Sequence, residues 1–223
     1  MHLWANPLRI TLSLLKYRPH GQRDDEVATY AKGVAMDKQT VKAIERGSAP
    51  GKGAMPTQEE ERARLRAIRK LVEENNQSCL STEMIVCQIY MESRFDSCAE
   101  AEGSSARGLM QLLRVANREV FRLDNLRQPP SARRPEAELY READAFHDSA
   151  AFVDEATNIR TGTRYLQALI DKAKREGSAD PIAEAYKDYR GIRNGIYYRK
   201  ISAAADRLKR APDAVEVLRE LVA

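Results

Sequence analysis

The sequence predicts an all-α protein, and its composition carries this prediction. Only 6% of the residues are aromatic, and helix formers such as Ala, Leu, Arg and Glu dominate, which favours helices over a β-sandwich or barrel. Apolar residues also recur at helical spacing in several segments. With 223 residues, 43% of them hydrophobic and 31% charged, the chain can bury one substantial core and a small extra module.

The clearest boundary is the run from Gly47 to Pro56, because Gly and Pro at this density resist both helix and strand. The basic excess lies before it. Residues 1–55 carry nine Lys/Arg against five Asp/Glu, whereas residues 56–223 carry 28 of each sign. We therefore predict a basic N-terminal extension, residues 1–55, followed by a helical domain, residues 56–223.

The first helix of this domain begins at Thr57. A Thr-x-x-Glu capping box joins Thr57 to Glu60, and acidic residues fill the first turn. An apolar stripe then follows at helical spacing, made of Leu65, Ile68, Leu71 and Val72. We expect this helix to end near Asn75.

The second helix is capped by Ser81 or Thr82, and residues 84–91 are almost wholly apolar. A helix that is apolar on all sides belongs in the middle of a domain. Ile89 and Glu92 share one of its faces, so Glu92 emerges from an apolar wall at the helix end. Lost hydration raises the pKa of such a carboxyl group, and the resulting acid can protonate a leaving oxygen.

The remaining elements are predicted from helix-capping residues and from the Gly and Pro residues that interrupt helices. We expect a helix from about Gly108, an exposed proline-broken loop over residues 125–135, and a helix from Thr157 to about Ala173. Asp180-Pro181 is a good N-cap and first-turn pair for the next helix. Two further helices are expected at roughly residues 197–209 and 213–222.

Four elements occur in a characteristic order along this helical domain. They are Glu92-Ser93, Gly108-Leu109-Met110-Gln111, Asn158-Ile159 with Gly162 and Tyr165-Leu166, and Ala185-Tyr186. Together they resemble the soluble lytic transglycosylases, peptidoglycan-cleaving enzymes that share the goose-type lysozyme fold. The resemblance spans roughly residues 78 to 205. It implies a lysozyme-like helical domain that cleaves the β-1,4 bond between N-acetylmuramic acid and N-acetylglucosamine.

The resemblance also implies roles for single residues. Glu92 acts as acid and then base, and the substrate's own 2-acetamido and 6-hydroxyl groups complete the reaction to a 1,6-anhydro sugar. The residues that match substrate-binding or groove-organising positions are Ser93, Met110, Gln111 and Asn158, with one tyrosine. That tyrosine is Tyr186 or Tyr189, because Lys187 replaces the asparagine of the family's Ala-Tyr-Asn and Tyr189-Arg190-Gly191 offers a competing alignment. Neither a metal nor a cofactor is implied.

A hydrolytic reaction stays open as the alternative. A muramidase adds a second carboxylate as nucleophile or water-activating base. Glu102 and Ser105 stand where the family commonly has serine and glycine, so extra carboxylates lie near the motif. The candidates for the second group are Asp96, Glu102 and Asp188.

The spacing between two motifs is unusually long. Gln111 and Asn158 are separated by 46 residues, more than members of the resembled family usually have. This insertion could form a lid, a wall of the substrate groove or a partner-binding element. A tolerated surface insertion explains the length equally well.

The N-terminal extension supports a rival function of a different class. Residues 26–34 and 40–47 resemble the helix-turn-helix of small repressors, whose pattern ends in a similar Ile-Glu-Arg-Gly. A DNA-binding regulator is therefore the alternative to an enzyme. The match is short, and a docking or export segment explains the same charge, so nucleic acid is the less favoured partner.

Cysteine and histidine spacing points away from a metal site or a bridge at the second helix. Cys79 and Cys98 flank that helix at a separation of roughly 20 Å, too far for a disulfide. Cys87 lies on its apolar part and reads as a core residue. The three histidines, His2, His20 and His147, show no ligand spacing with the cysteines.

The expected substrate raises the question of how the protein reaches the cell wall. We recognise neither a secretory signal near the N-terminus nor an apolar span of transmembrane length. Peptidoglycan nevertheless lies outside the cytoplasmic membrane. Either the chain is supplied without its leader or a dedicated machine exports it, as with antibacterial type VI secretion effectors. We then expect action in the periplasm and cell wall, and three partners: glycan strands, a secretion apparatus and an immunity protein.

Overall fold

The computed structural model of the chain describes residues 56–222, which contain nine α-helices, one 3-10 helix and no strand. The all-α prediction is therefore confirmed for this part of the chain. The basic extension and its helix-turn-helix interpretation lie outside the described residues. The α-helices are α1 Gln58–Asn75, α2 Thr82–Ser93, α3 Arg114–Arg127, α4 Glu136–Asp148, α5 Ala150–Val153, α6 Glu155–Arg175, α7 Pro181–Arg190, α8 Ile196–Arg210 and α9 Val215–Leu221, and the 3-10 helix is Pro130–Ala132.

Three helix starts follow the predicted capping chemistry. The Thr57 hydroxyl accepts from the Glu60 amide at 3.3 Å, and the Glu60 carboxylate accepts from the Thr57 amide at 2.7 Å. Ser81, rather than Thr82, caps α2, because its hydroxyl accepts from the Met84 amide. Asp180 caps α7 as expected. Each cap satisfies a backbone N–H that the helix itself leaves without a partner.

Helix α2 lies in the middle of the described helices, as its apolar sequence predicts. All five residues from Ile85 to Ile89 are buried, although one of them is the polar Gln88. The helices α1, α8 and α9 pack around α2. This arrangement brings the C-terminal end of α2, with Glu92, to the edge of the core.

Two expected helix starts are wrong. No helix begins at Gly108, because both Gly108 and Gln111 have positive φ angles, +76° and +46°, which an α-helix does not allow. The chain makes a tight turn there, and α3 starts only at Arg114. Helix α6 starts at Glu155 and not after Thr157, because the Asp154 carboxylate accepts from the Thr157 amide at 2.9 Å and takes the cap.

The long insertion forms a helical hairpin rather than an open loop. Helices α3 and α4 run antiparallel, with Arg114 paired to Asp148 and Arg118 paired to Asp144. The predicted loop over residues 125–135 is shorter than expected, because α3 continues to Arg127 and a 3-10 helix follows. The hairpin packs on α6 through α3. Across residues 56–222, no helix combines the length and the apolar character needed to cross a membrane.

Candidate active site

The Glu92 carboxyl lies where α2, α7 and α8 meet. Glu92 is in the last turn of α2, and its side chain is only 7% exposed. The hydroxyl of Tyr197 on α8 donates to Oε1. Nη1 of Arg190, the last residue of α7, lies 3.3 Å from Oε2. Both carboxyl oxygens therefore have a donor from another helix.

Burial raises the pKa of Glu92 above its usual value, which is the direction expected from its apolar helix. The positive charge of Arg190 opposes this shift most strongly. The hydrogen bond from Tyr197 and the charge of Arg94 oppose it further. Because burial outweighs all three, Glu92 holds a proton to higher pH than an exposed glutamate does. This is the property that a general acid needs.

The chain leaves α2 through two residues in the left-handed region. Arg94 has φ 56° and Phe95 has φ 66°, a conformation that costs roughly 1–2 kcal/mol for each residue other than glycine. Packing holds them there. The Phe95 ring meets the Tyr90 ring edge-on at 5.0 Å, and Arg64 donates to the Phe95 carbonyl at 2.6 Å. The backbone immediately after Glu92 is therefore fixed by contacts with other parts of the domain.

Asn158 holds the Gly108-Leu109-Met110-Gln111 element against α6. Its Oδ1 accepts from the Met110 amide at 2.9 Å, and its Nδ2 donates to the Phe152 carbonyl at 3.2 Å. The approach is so close that a Cβ at Gly108 would lie 2.4 Å from Asn158 Nδ2. A Cβ at Gly162 would likewise lie 2.4 Å from the Met110 sulfur. Both glycines of the motif set are thus required by packing.

Met110 and Asn158 are buried, so their side chains build the site rather than line an open groove. Met110 is completely buried against Gly162, and the side-chain amide of Asn158 is hydrogen-bonded to backbone groups. The same holds for Ser93, whose hydroxyl donates to the Ile89 carbonyl one turn earlier at 3.1 Å. Gln111 donates to the carbonyls of Ala99 and Gly108 at 2.8 and 2.9 Å. Its side chain remains partly exposed.

The two candidate tyrosines have different surroundings. The Tyr189 hydroxyl donates to the Met110 carbonyl at 2.6 Å, which ties α7 to the motif element beside Glu92. Burial, and then the negative charge of Glu92, hold the pKa of Tyr189 well above its ordinary value. Tyr186 is fully buried, stacks on Tyr198 at 5.5 Å, and its hydroxyl has no hydrogen-bond partner among residues 56–222. Tyr189 is therefore the tyrosine that links two of the motifs.

The three candidate second carboxylates do not contact Glu92 in the part of the chain that the structure describes. Asp96 accepts from the Cys98 amide at 2.9 Å in the turn after α2. Asp188 is paired with Lys172 at 2.9 Å and with Arg193 at 2.5 Å. Glu102 is exposed and has no side-chain hydrogen bond to a described residue. The groups that do contact Glu92 are Arg190 and Tyr197.

Sequence reasoning did not assign a role to either of these two groups. Arg190 lies 98 residues from Glu92 and Tyr197 lies 105 residues away, so no local spacing relates them to the acid. One sequence feature pointed to Arg190. It lies in the Tyr189-Arg190-Gly191 segment, which competes with Ala185-Tyr186 for the family alignment. No sequence feature pointed to Tyr197, because adjacent tyrosines are equally typical of a protein core.

A surface groove of about 330 Å³ lies elsewhere, between α3 and α6. Its walls include Leu123, Arg127, Arg164 and Arg175, but not Glu92, Arg190 or Tyr197. We assign the candidate site to Glu92 instead, because the groove holds no group whose chemistry matches the motif set.

The described residues offer neither a metal cluster nor a disulfide. No group of three or more His, Cys, Asp or Glu side chains in residues 56–222 could hold a metal ion. Cys79 and Cys98 are free and exposed. Cys87 is buried in α2, where burial raises the pKa of its thiol to about 12. The buried His147 packs on Phe152, with the ring centroids 4.5 Å apart.

No protein family, curated protein or solved structure matches the chain. A function therefore has to be argued from the geometry around Glu92 and from the order of the motifs.

Proposed function

We propose that the protein is a peptidoglycan glycosidase of lysozyme-like fold, with Glu92 as its general acid and base. The observation that carries this proposal is the buried carboxyl at the end of the central helix, with both oxygens bound by side chains of α7 and α8. Two of the elements that resemble those of the transglycosylases are joined by hydrogen bonds to α7, the helix that carries Arg190. Asn158 supports Met110, Met110 accepts from Tyr189, and Tyr189 precedes Arg190 in α7.

The chemistry follows from the raised pKa of Glu92. Cleavage of a β-1,4 glycosidic bond requires a proton for the leaving oxygen and stabilisation of the positive charge that develops at the sugar ring. Protonated Glu92 supplies the proton, and its carboxylate can then act as base. The preferred reaction is that of a lytic transglycosylase, in which the 2-acetamido and 6-hydroxyl groups of the substrate replace a second carboxylate. The pairing of Asp188 with two cations supports this choice.

A muramidase is the second candidate for the same site. The observation in its favour is Glu102, whose exposed carboxylate is not engaged by any described residue and lies six residues before the Gly-Leu-Met-Gln element. Asp96 is also exposed, close to the end of α2. The two reactions differ in their products, since a transglycosylase leaves 1,6-anhydro ends and a muramidase leaves reducing ends.

The first test is the release of soluble fragments from isolated sacculi, followed as loss of turbidity. Glu92→Gln preserves the shape of the side chain but has no acidic proton, so we expect activity to fall at least about a hundredfold while circular dichroism stays unchanged. Glu73→Gln is the matched control, because Glu73 is exposed on α1 and its side chain makes no hydrogen bond or ion pair with a described residue. A folded Glu92→Gln protein with wild-type turnover would remove Glu92 from the mechanism.

Delivery to rival bacteria belongs to the same proposal. Its support is the proposed wall-degrading activity, because peptidoglycan lies outside the cytoplasmic membrane. If the protein is an antibacterial effector, forced periplasmic expression lyses the host, whereas cytoplasmic expression and periplasmic Glu92→Gln are harmless. Equal tolerance of wild type in both compartments, with full activity on sacculi, would contradict the effector role and leave the glycosidase intact.

A further inference from the structure

Arg190 is the cation that faces the Glu92 carboxyl directly. Its guanidinium lies 3.3 Å from Oε2 and 4.9 Å from the centroid of the Tyr197 ring, whose hydroxyl holds Oε1. The Arg190 side chain is 35% exposed, whereas that of Glu92 is 7% exposed. Arg190 is therefore the more exposed partner of this ion pair.

Glu92 is the acidic partner of Arg190 within the described part of the chain, because the other acids of α7 are occupied. Glu184 pairs with Lys187 at 2.9 Å and with Arg193 at 2.6 Å. Asp188 pairs with Lys172 and Arg193. Arg193, in the turn after α7, therefore pairs with acids of α7, whereas Arg190 pairs with Glu92 on α2.

The other groups that surround Glu92 cannot replace this charge. Tyr186 and Tyr189 on α7 and Tyr197 on α8 are neutral, since burial raises the pKa of each well above its ordinary value. Arg94, at the end of α2, is the weakest of the groups that oppose the pKa shift of Glu92.

The charged groups at the interfaces of α2 with α1 and α9 pair with one another: Arg69 with Glu83, and Arg219 with Glu61. Arg190 is therefore the principal counter-charge of Glu92.

The two donors match the charged form of the acid. A guanidinium has N–H donors and no acceptor, so it cannot face a proton on Oε2. Tyr197 already donates to Oε1. The observed arrangement therefore binds the carboxylate form of Glu92. The Tyr197 ring holds the guanidinium in the same arrangement, because a cation over an aromatic face is attracted by the ring quadrupole.

We propose that Arg190 is a positioning residue for the Glu92 acid: from its place over the Tyr197 ring it pairs with Oε2 and stabilises the charged form of the carboxyl. The catalytic consequence rests on the proposed function. The titration of the carboxyl does not, and it can be measured in a protein without any substrate.

The test is the titration of Glu92 by NMR, with glutamate labelled with carbon-13 at the side-chain carboxyl and Glu92→Gln used to assign its signal. Removing the positive charge in Arg190→Gln leaves the burial of Glu92 uncompensated, so we expect the titration midpoint of Glu92 to move to higher pH. Arg190→Lys, which keeps the charge, should shift it less. Arg193→Gln is the matched control, since it removes a neighbouring charge that does not contact Glu92, and should leave the midpoint unchanged.

The activity profile gives the second readout. If Glu92 acts as the acid, the alkaline limb of kcat/KM for sacculus cleavage moves to higher pH in Arg190→Gln by the same amount as the NMR midpoint. Arg190→Met, which keeps an apolar stem over Tyr197, replaces Arg190→Gln if that variant does not fold. An unchanged or lowered midpoint in the folded variant overturns the role of Arg190, even if the enzyme is active. A raised midpoint in a protein that cleaves no glycan supports Arg190 and overturns the proposed function.

Discussion

At the scale of single residues, Glu92 combines two opposing environments. The apolar core removes water and disfavours its charge, while Arg190 and Tyr197 favour that charge. Because burial dominates, folding raises the pKa of this carboxyl. A protein without a use for the group would gain stability by replacing it, so the unfavourable burial of Glu92 is itself an argument that it serves a function.

This balance predicts how stability depends on pH. A carboxyl whose pKa is raised by folding contributes stability below its unfolded value, which is near 4.5, and loses that contribution as pH rises through the folded pKa. Glu92→Gln removes this titration. We therefore expect the variant to gain stability relative to wild type between about pH 4 and about pH 8, measured as the free energy of unfolding in urea. Glu73→Gln is the exposed control and should show no such trend.

The opposite trend would contradict this account of Glu92. If Glu92→Gln loses stability relative to wild type as pH rises, the ion pair with Arg190 outweighs burial, and the folded pKa lies below the unfolded value. A difference that is constant across the pH range would mean that the pKa of Glu92 is the same in both states.

At the scale of elements, the site depends on a turn that α6 holds in place. Gly108 and Gln111 both have positive φ, and Asn158 binds the Met110 amide between them. Met110 in turn accepts from Tyr189 on α7. The Gly-Leu-Met-Gln turn, α6 and α7 therefore share one set of hydrogen bonds, and α7 carries Arg190 to Glu92.

Asn158→Ala tests this connection. The substitution leaves the buried Met110 N–H without a partner, a loss of about 1–3 kcal/mol in the free energy of unfolding. Chemical denaturation measures it, and Gln77→Ala, an exposed amide that makes no side-chain hydrogen bond to a described residue, is the control. We also expect reduced sacculus cleavage, because Tyr189 loses a fixed acceptor. A stability equal to that of wild type would show that the Asn158 contacts do not hold the turn.

Local sequence signals predicted most of the helices. They failed where contacts between residues far apart in the sequence determine the backbone conformation. The Thr57 capping box, Asp180-Pro181 and the apolar run of α2 are local, and each helix forms as predicted. The turn at Gly108 was missed because its conformation depends on Asn158, which is 50 residues later and on another helix. The start of α6 was misplaced because Asp154 competes with Thr157 for the cap.

The candidate site, like the fold, was predictable only where local sequence determines it. The placement of Glu92 on an apolar helix follows from residues 84–91 alone. Arg190 and Tyr197 reach Glu92 only because α7 and α8 fold back against each other and onto the core, and nothing in the spacing of these residues encodes that approach.

At the scale of the whole molecule, the contacts described for the candidate site all lie within residues 57–222, the part of the chain where the structure can show them. Helix α1 begins with a complete capping box, so its start requires no upstream residue. The N-terminal charge excess and the Gly/Pro-rich run lie before it. We therefore expect residues 1–55 to be dispensable for the chemistry that we propose.

Removal of residues 1–55 tests this division. We expect the truncated chain to fold and to cleave isolated sacculi at a rate within about tenfold of the full-length protein, a loss of less than about 1.4 kcal/mol in transition-state stabilisation. Circular dichroism and initial rates of turbidity loss provide the comparison. An insoluble or inactive fragment would show that these residues belong to the catalytic core. The interpretations of residues 1–55 as a separate docking or DNA-binding segment would then be wrong.

The central claim is that Glu92 cleaves the glycan of peptidoglycan, and mass spectrometry of the fragments released from purified sacculi tests it most directly. We expect wild type to release muropeptides cut between N-acetylmuramic acid and N-acetylglucosamine, with 1,6-anhydro ends that are lighter by one water than reducing ends, and Glu92→Gln to release none. Reducing ends would replace the transglycosylase with a muramidase and make Asp96, Glu102 and Asp188 the next residues to substitute. Intact glycan strands with cut peptides, or the same glycan fragments from Glu92→Gln, would contradict the claim.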